Sequence, residues 1–134
     1  MTRSAVHTDQ APAAIGPYSQ AVRSGNLLFV SGTLPVDART GQMVPGDIEA
    51  QAHQVFRNLT AIAAAAGGRL ADAVKVTVFL TDLGTFQRVN GVYRQYFQEP
   101  YPARSAVQVA ALPLGAPIEV EAIIIMPEAP PPSS

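Results

Sequence analysis

The chain is expected to fold as an α+β domain, a mixed β-sheet with two helices packed on one face. Three observations carry this. The apolar residues switch between strand alternation and helical spacing in the order strands, helix, strand, helix, strand, strand. Only two segments have helical spacing, too few to cover both faces of a sheet. With 134 residues the chain fits one domain, yet only 14% of them are charged, where about 25% is usual. So sparse a charge content suggests surface that is not meant for water, and a second subunit is the expected cover for the bare sheet face.

Each element has its own signal. Residues Gln20 to Ser31, QAVRSGNLLFVS, read as a hairpin: Ala21-Val22 closes one strand, Ser24-Gly25-Asn26 turns, and Leu27 to Val30 returns. Gly32 comes next, where a backbone needs an unusual shape or a close approach. Gly46 to Gly67 is the clearest helix. Asp47 is its N-cap, and Ile48, Ala52, Val55, Leu59, Ile62 and Ala66 form its apolar stripe. Gly67-Gly68 stops it. Ala73 to Leu80, AVKVTVFL, is β-branched and nearly continuous, hence a central strand. Thr81-Asp82 caps a second helix over Leu83 to Gln98 with Phe86, Val89, Tyr93 and Phe97 on its apolar face, ended by Pro100 and Pro102. Arg104 to Val109 alternates as a strand, Leu112-Pro113 breaks it, and Ile118 to Met126 is the last strand. Residues 1–10 are expected to be a flexible segment, 11–126 a single domain, and 127–134 a disordered Pro-rich tail.

Composition narrows the chemistry. A formal net charge of −1 gives no electrostatic engine for nucleic acid or an anionic membrane. There are no cysteines, which excludes disulfides, thiolate nucleophiles and thiolate metal sites. His7 and His53 are too few and too far apart for a metal cluster or a convincing Ser-His-Asp set. Met1 to Gln10 has no apolar run and no stretch is long enough to span a bilayer, so the expected compartment is the cytoplasm. No cofactor and no metal are expected.

What remains is a short set of polar residues. Glu119 and Glu121 sit two apart on the last strand and share a face with Ile123 and Ile125. A carboxyl on such a strand must be partnered or desolvated, and desolvation raises its pKa toward a base or a water holder. Ion pairs and strand ends at the rim more often account for such a pair. Arg104 opens a strand and could grip a carboxylate through two parallel hydrogen bonds, although a lone arginine more often pairs with a surface acid. Tyr18 comes after Gly16-Pro17, which fix the backbone beneath it, and a half-buried strand tyrosine is the plain alternative. Ser31-Gly32 could present a hydroxyl and N–H groups to an anion, or simply end a strand. Asn90 lies on the second helix, and His53 reads as an exposed helix residue.

Several blocks together are more specific. Ala11 to Val22 (APAAIGPYSQAV), Val30 to Pro35 (VSGTLP), Gln51 with Asn58, Lys75 to Leu83 (KVTVFLTDL), Asn90 with Tyr93 and Phe97, Pro102-Ala103-Arg104-Ser105, Leu112-Pro113 and Ile118 to Ala122 (IEVEA) resemble the signatures of the RidA/YjgF family, in unbroken order from about Ala11 to Ile125. The resemblance implies a chorismate-mutase-like fold and a homotrimer whose sheets form a central barrel, with clefts at the subunit boundaries. It implies cofactor-free hydrolysis of short 2-imino and enamine carboxylates such as 2-aminoacrylate, 2-iminopropionate and 2-iminobutanoate to 2-oxo acids and ammonia. By position, Arg104 would bind the substrate carboxylate, Glu119 would position water, and Tyr18, Ser31, Gly32, Asn90, Ser105 and Ala106 would line the pocket. Two positions depart from the family pattern. Many members have cysteine where this chain has Ala106, and glutamine where it has Thr33, so pocket shape or substrate range can differ.

Two further functions stay open at this level. One is a non-catalytic module of the same fold that binds small carboxylates or acts as a chaperone. The other is an endoribonuclease, which would need a basic, aromatic groove. Arg88, Arg94 and Tyr96 lie on one expected helix, but the balanced charge favours a solvated face.

Overall fold

The computed structural model describes residues 2–127. Strands β1 (Ser4–Val6), β2 (Ala21–Ser24) and β3 (Leu27–Thr33) precede α1 (Ile48–Ala65). Then come β4 (Ala73–Leu80), α2 (Phe86–Tyr93), β5 (Ala103–Gln108) and β6 (Ile118–Ile125). They form one six-stranded sheet in the order β1-β2-β3-β6-β4-β5, antiparallel except for the β4–β5 pair. The α+β expectation is met, with both helices on one face. Within one chain the sheet stays open, with β1 and β5 as its edges, so the chain by itself forms no barrel.

The core lies between that face and the helices. Alternation sends Ile118, Val120, Ala122 and Ile124 of β6, with Val76, Val78 and Leu80 of β4, under α1. The helix meets them with Ile48, Ala52, Val55, Leu59 and Ile62 of the expected stripe; Phe56 joins them, and Ala66, expected in the stripe, is only half-buried at the helix end. Burying each large aliphatic side chain in this seam contributes about 1.5–3 kcal/mol. Asp47 caps α1 as expected, accepting from the Ala50 N–H at 3.0 Å. Asn58, 1% exposed, donates to the Leu34 and Val36 carbonyls and so ties the strand exit after β3 to α1.

Three expectations need correction. The N-terminal segment is not all loose: Ser4–Val6 pairs with Ala21–Arg23. The Gln20 carboxamide holds the stretch between these two strands, accepting from the Thr8 N–H at 2.8 Å and donating to the Pro12 carbonyl at 2.7 Å. The second helix is half the expected length. Asp82 caps a separate 3₁₀ turn over Leu83–Thr85, and after Tyr93 the chain relaxes to i→i+3 bonds, with Gln95 N–H donating to the Val92 carbonyl and Tyr96 N–H to that of Tyr93. That relaxation swings Tyr96 onto His53, whose Nδ1 lies 3.0 Å from the phenol oxygen, so His53 is half-buried and partnered rather than exposed. The tail expected over 127–134 falls, after Pro127, outside the described residues.

The other sheet face carries Phe29, Lys75, Thr77, Phe79, Val107 and the odd-numbered β6 residues Glu119 to Ile125. Phe29 and Ile125 are each 44% exposed and Val107 40%. Among the described residues no element covers them, and no helix is long and apolar enough to cross a membrane.

Candidate active site

Strand parity decides where each polar residue goes. Arg104 pairs with Val76 and shares the helix side of the sheet with Ala106. There its Nη1 donates to the Asn90 carboxamide oxygen at 2.8 Å. Its guanidinium carbon stands 5.0 Å from the centre of the Phe86 ring and 4.7 Å from that of Tyr93. Sequence spacing assigned both rings to the core face of the second helix and missed their position beside the arginine. The signal was the run Phe86, Asn90, Tyr93 at helical spacing, one face of two turns. Asn90, Tyr93, Arg94, Tyr101, Pro102 and Arg104 line a cleft of about 370 Å³. It holds two cations and no acid, and among the described residues no carboxylate pairs with Arg104.

The Tyr93 hydroxyl is buried and has no hydrogen-bond partner among the described residues. Burial pushes its pKa up, against the attraction of the neighbouring Arg104 charge.

A second cleft, of about 420 Å³, opens beyond the end of β3. Tyr18, Ser31 and Gly32 line it, with exposed Ile15 and Leu114 at its mouth. The Ser31 hydroxyl is not presented to the cleft as the sequence suggested. Ser31 Oγ donates to the Ser19 carbonyl at 2.6 Å. The Tyr18 oxygen accepts from the Ile15 N–H at 3.3 Å and so braces its own loop. Leu114 takes a left-handed backbone, φ 60°, which non-glycine residues seldom adopt.

Glu119 sits behind Gly32 on the far face of the sheet. A Cβ at Gly32 would overlap its carboxyl, so the missing side chain is what admits the carboxylate here. Burial raises the Glu119 pKa above the ordinary carboxylate value, and the charge of Glu121 raises it further. Of the two conditions expected for this pair, partnering or desolvation, desolvation is the one met: no cation pairs with either acid among the described residues.

The expected meeting of Arg104 with Glu119 does not occur within one chain. Arg104 lies at the level of Val76 and Glu119 at that of Phe79, on strands two apart. Three residues along and two strands across is about 10 Å in each direction, and the two side chains leave opposite faces of the sheet. Ser105 also leaves the arginine's cleft: by alternation it faces the far side, where the Lys75 ammonium donates to its hydroxyl at 3.0 Å. Of the three residues named for a nuclease groove, Arg94 lines the arginine's cleft and the other two are engaged elsewhere. Arg88 is taken up by Asp47 and Glu49, and Tyr96 by His53. Among the described residues no three His, Asp or Glu side chains gather as metal ligands.

Comparison with known proteins finds a match over residues 8–126 to the family described as Endoribonuclease L-PSP. A curated relative, the 2-iminobutanoate/2-iminopropanoate deaminase of Bos taurus, is 48% identical over 125 residues, spanning 93% of this chain and 91% of that one. RidA from the Antarctic bacterium Psychrobacter is a structural neighbour at 51% identity and TM-score 0.88, covering 92% of this chain and 99% of its own. E. coli TdcF with bound serine aligns at 43% identity and TM-score 0.87, with the same coverage.

Proposed function

The chain belongs to the Endoribonuclease L-PSP family, in its RidA/YjgF branch, and from that membership and its two half-clefts we propose that it is a deaminase of short 2-imino carboxylates whose active site is completed between two copies of the chain. The observation that carries the reading is Arg104. It is an arginine with no acid partner among the described residues, braced by a neutral carboxamide and facing a cleft with a second cation. Such a group is an anion receptor prepared before its ligand arrives.

The substrate dictates the rest. In a 2-imino acid the electrophilic C2 is one bond from the carboxylate. A group that clamps the carboxylate and a group that steers water to C2 must therefore lie a few ångström apart. One chain holds its arginine and its glutamate far beyond that reach, on opposite faces. Two copies can bring the β5 side of one against the β3 end of the other, and the bare apolar far face and the free β5 edge are surfaces suited to such packing. A homotrimer with the sheets around a central barrel fits these surfaces.

In the assembled cleft the Arg104 guanidinium takes the carboxylate. Glu119, its pKa raised by burial, accepts a proton from water as the water oxygen bonds to C2. The resulting carbinolamine collapses to the 2-oxo acid. The nitrogen takes the first water proton as the carbinolamine forms; the hydroxyl then gives up its proton, which passes to nitrogen, so that C2=O forms as the C2–N bond breaks and ammonia leaves. Enamine substrates enter after tautomerising to the imine. Imines hydrolyse readily in water, so positioning supplies much of the acceleration. Ala106 shares the arginine's face and, being small, leaves room beside the carboxylate.

The test is subunit complementation. Arg104→Ala and Glu119→Ala proteins are each expected to be inactive toward imines released from amino acids by an amino-acid oxidase. Refolded together in equal amounts, they should regain about one quarter of the wild-type rate, because random mixing leaves that share of boundaries with both residues intact. Mixed protein as inactive as its parts would refute a shared site. Intact protein that binds 2-oxo acids without accelerating hydrolysis would make it a binding module.

A further inference from the structure

The surroundings of Arg104 carry one step more, which rests on the carboxylate-binding role proposed above. Arginine has a long, flexible side chain and five N–H donors. An arginine on an edge strand would normally spread over many rotamers or fold onto a nearby acid. Here one donor is spent on Asn90, and two rings stand at 5.0 and 4.7 Å from the guanidinium carbon. All three come from successive turns of α2. Tyr93 is itself fixed: its ring lies 4.4 Å from that of Phe97 and 5.8 Å from that of Phe56, inside the core. Phe86 is half-buried at the start of the helix, packed against the core without being enclosed by it.

We infer that Phe86 is a positioning residue for carboxylate recognition: with Tyr93 and Asn90 it makes a seat that fixes the plane of the Arg104 guanidinium and turns its unspent N–H groups into the cleft. The π faces attract the cation without accepting its in-plane donors, so they hold it in place and leave those donors for a ligand. An acid in the same place would hold it as firmly and consume the donors. A planar carboxylate needs two parallel N–H groups at a set angle, so the direction of the fork governs affinity.

Phe86→Met keeps the bulk and removes the ring. Pyruvate binding is measured by calorimetry on the intact assembly, for wild type, Phe86→Met, Phe86→Tyr and Arg104→Ala. The Arg104 Nε–H resonance, shielded by rings it sits over, is followed by NMR. Phe86→Met is expected to weaken pyruvate roughly 3- to 10-fold and to move that resonance toward its open-chain position, with assembly size and unfolding temperature close to wild type. Phe86→Tyr should restore both. Unchanged pyruvate affinity in Phe86→Met, with Arg104→Ala unable to bind, overturns the positioning role and leaves the site in place. Weakened affinity with an unmoved Arg104 resonance overturns it too, since the ring would then act elsewhere. If wild type binds no pyruvate, or Arg104→Ala binds it equally well, the carboxylate site itself falls and the inference with it.

Discussion

Gly32→Ala is expected to separate turnover from stability. The Gly32 backbone does not use the left-handed region, so alanine is sterically allowed by the chain itself. The conflict lies with Glu119. An added Cβ would overlap a carboxyl oxygen and stand 2.8 Å from Cδ and 3.2 Å from Cγ, where ordinary contact begins at 3.4 Å. The obstructing atoms are the end of a flexible side chain rather than backbone. Glu119 can rotate away, at a cost of about 0.5–1.5 kcal/mol for an unfavourable rotamer, which corresponds to a fall of a few degrees in unfolding temperature. Under the proposed water-steering role turnover has no such escape, because displacing the carboxyl by about 1 Å is expected to cost on the order of 100-fold in rate. The assay is 2-oxo acid release from imines generated in situ, run beside thermal unfolding and gel filtration. A rate within a factor of two of wild type in folded protein would show that Glu119 does not need the place Gly32 opens for it, and the water-steering role would be lost.

Three other residues give outcomes of their own. Glu119 has a folded-state pKa above its unfolded one, so its stabilising contribution is present below the unfolded value and lost as pH rises through the folded value. Glu119→Gln should therefore be the more stable protein at pH 8, with the advantage fading as the pH falls through the raised folded value and gone by about 4.5; a difference that does not vary with pH in thermal melts would contradict this. Tyr93→Phe removes a buried hydroxyl with no hydrogen-bond partner among the described residues and keeps the ring's contacts with Arg104, Phe56 and Phe97. It should gain about 1 kcal/mol in denaturant unfolding, and a loss of that size would mean the hydroxyl is bonded in the assembled protein. Gln20→Leu strands the Thr8 N–H and the Pro12 carbonyl. A cost of about 2–4 kcal/mol is expected, with faster amide exchange over Ser4–Val6; unchanged exchange there would show that β1 does not depend on this side chain.

Much of the domain is legible from the residues in line. The bounds of β4, the Asp47 cap, the stripe of α1 and the shared face of Glu119 and Glu121 come from local chemistry and periodicity, which act over a few residues. The family motifs likewise named Arg104 and Glu119 together. Their separation could not be read there, because alternation fixes faces only within a strand. Which face of β5 matches which face of β6 is set by the register of each on β4, and that register is decided by packing under α1. The same holds for the Gln20 tie to Thr8, twelve positions away, and for His53 against Tyr96, forty-three positions away. Such contacts depend on long loops closing, and no local signal encodes them. The tertiary structure thus sets Arg104 and Glu119, which two separate motif blocks supplied, on opposite sides of one sheet, because the alternation of each strand keeps the sheet's two faces apart.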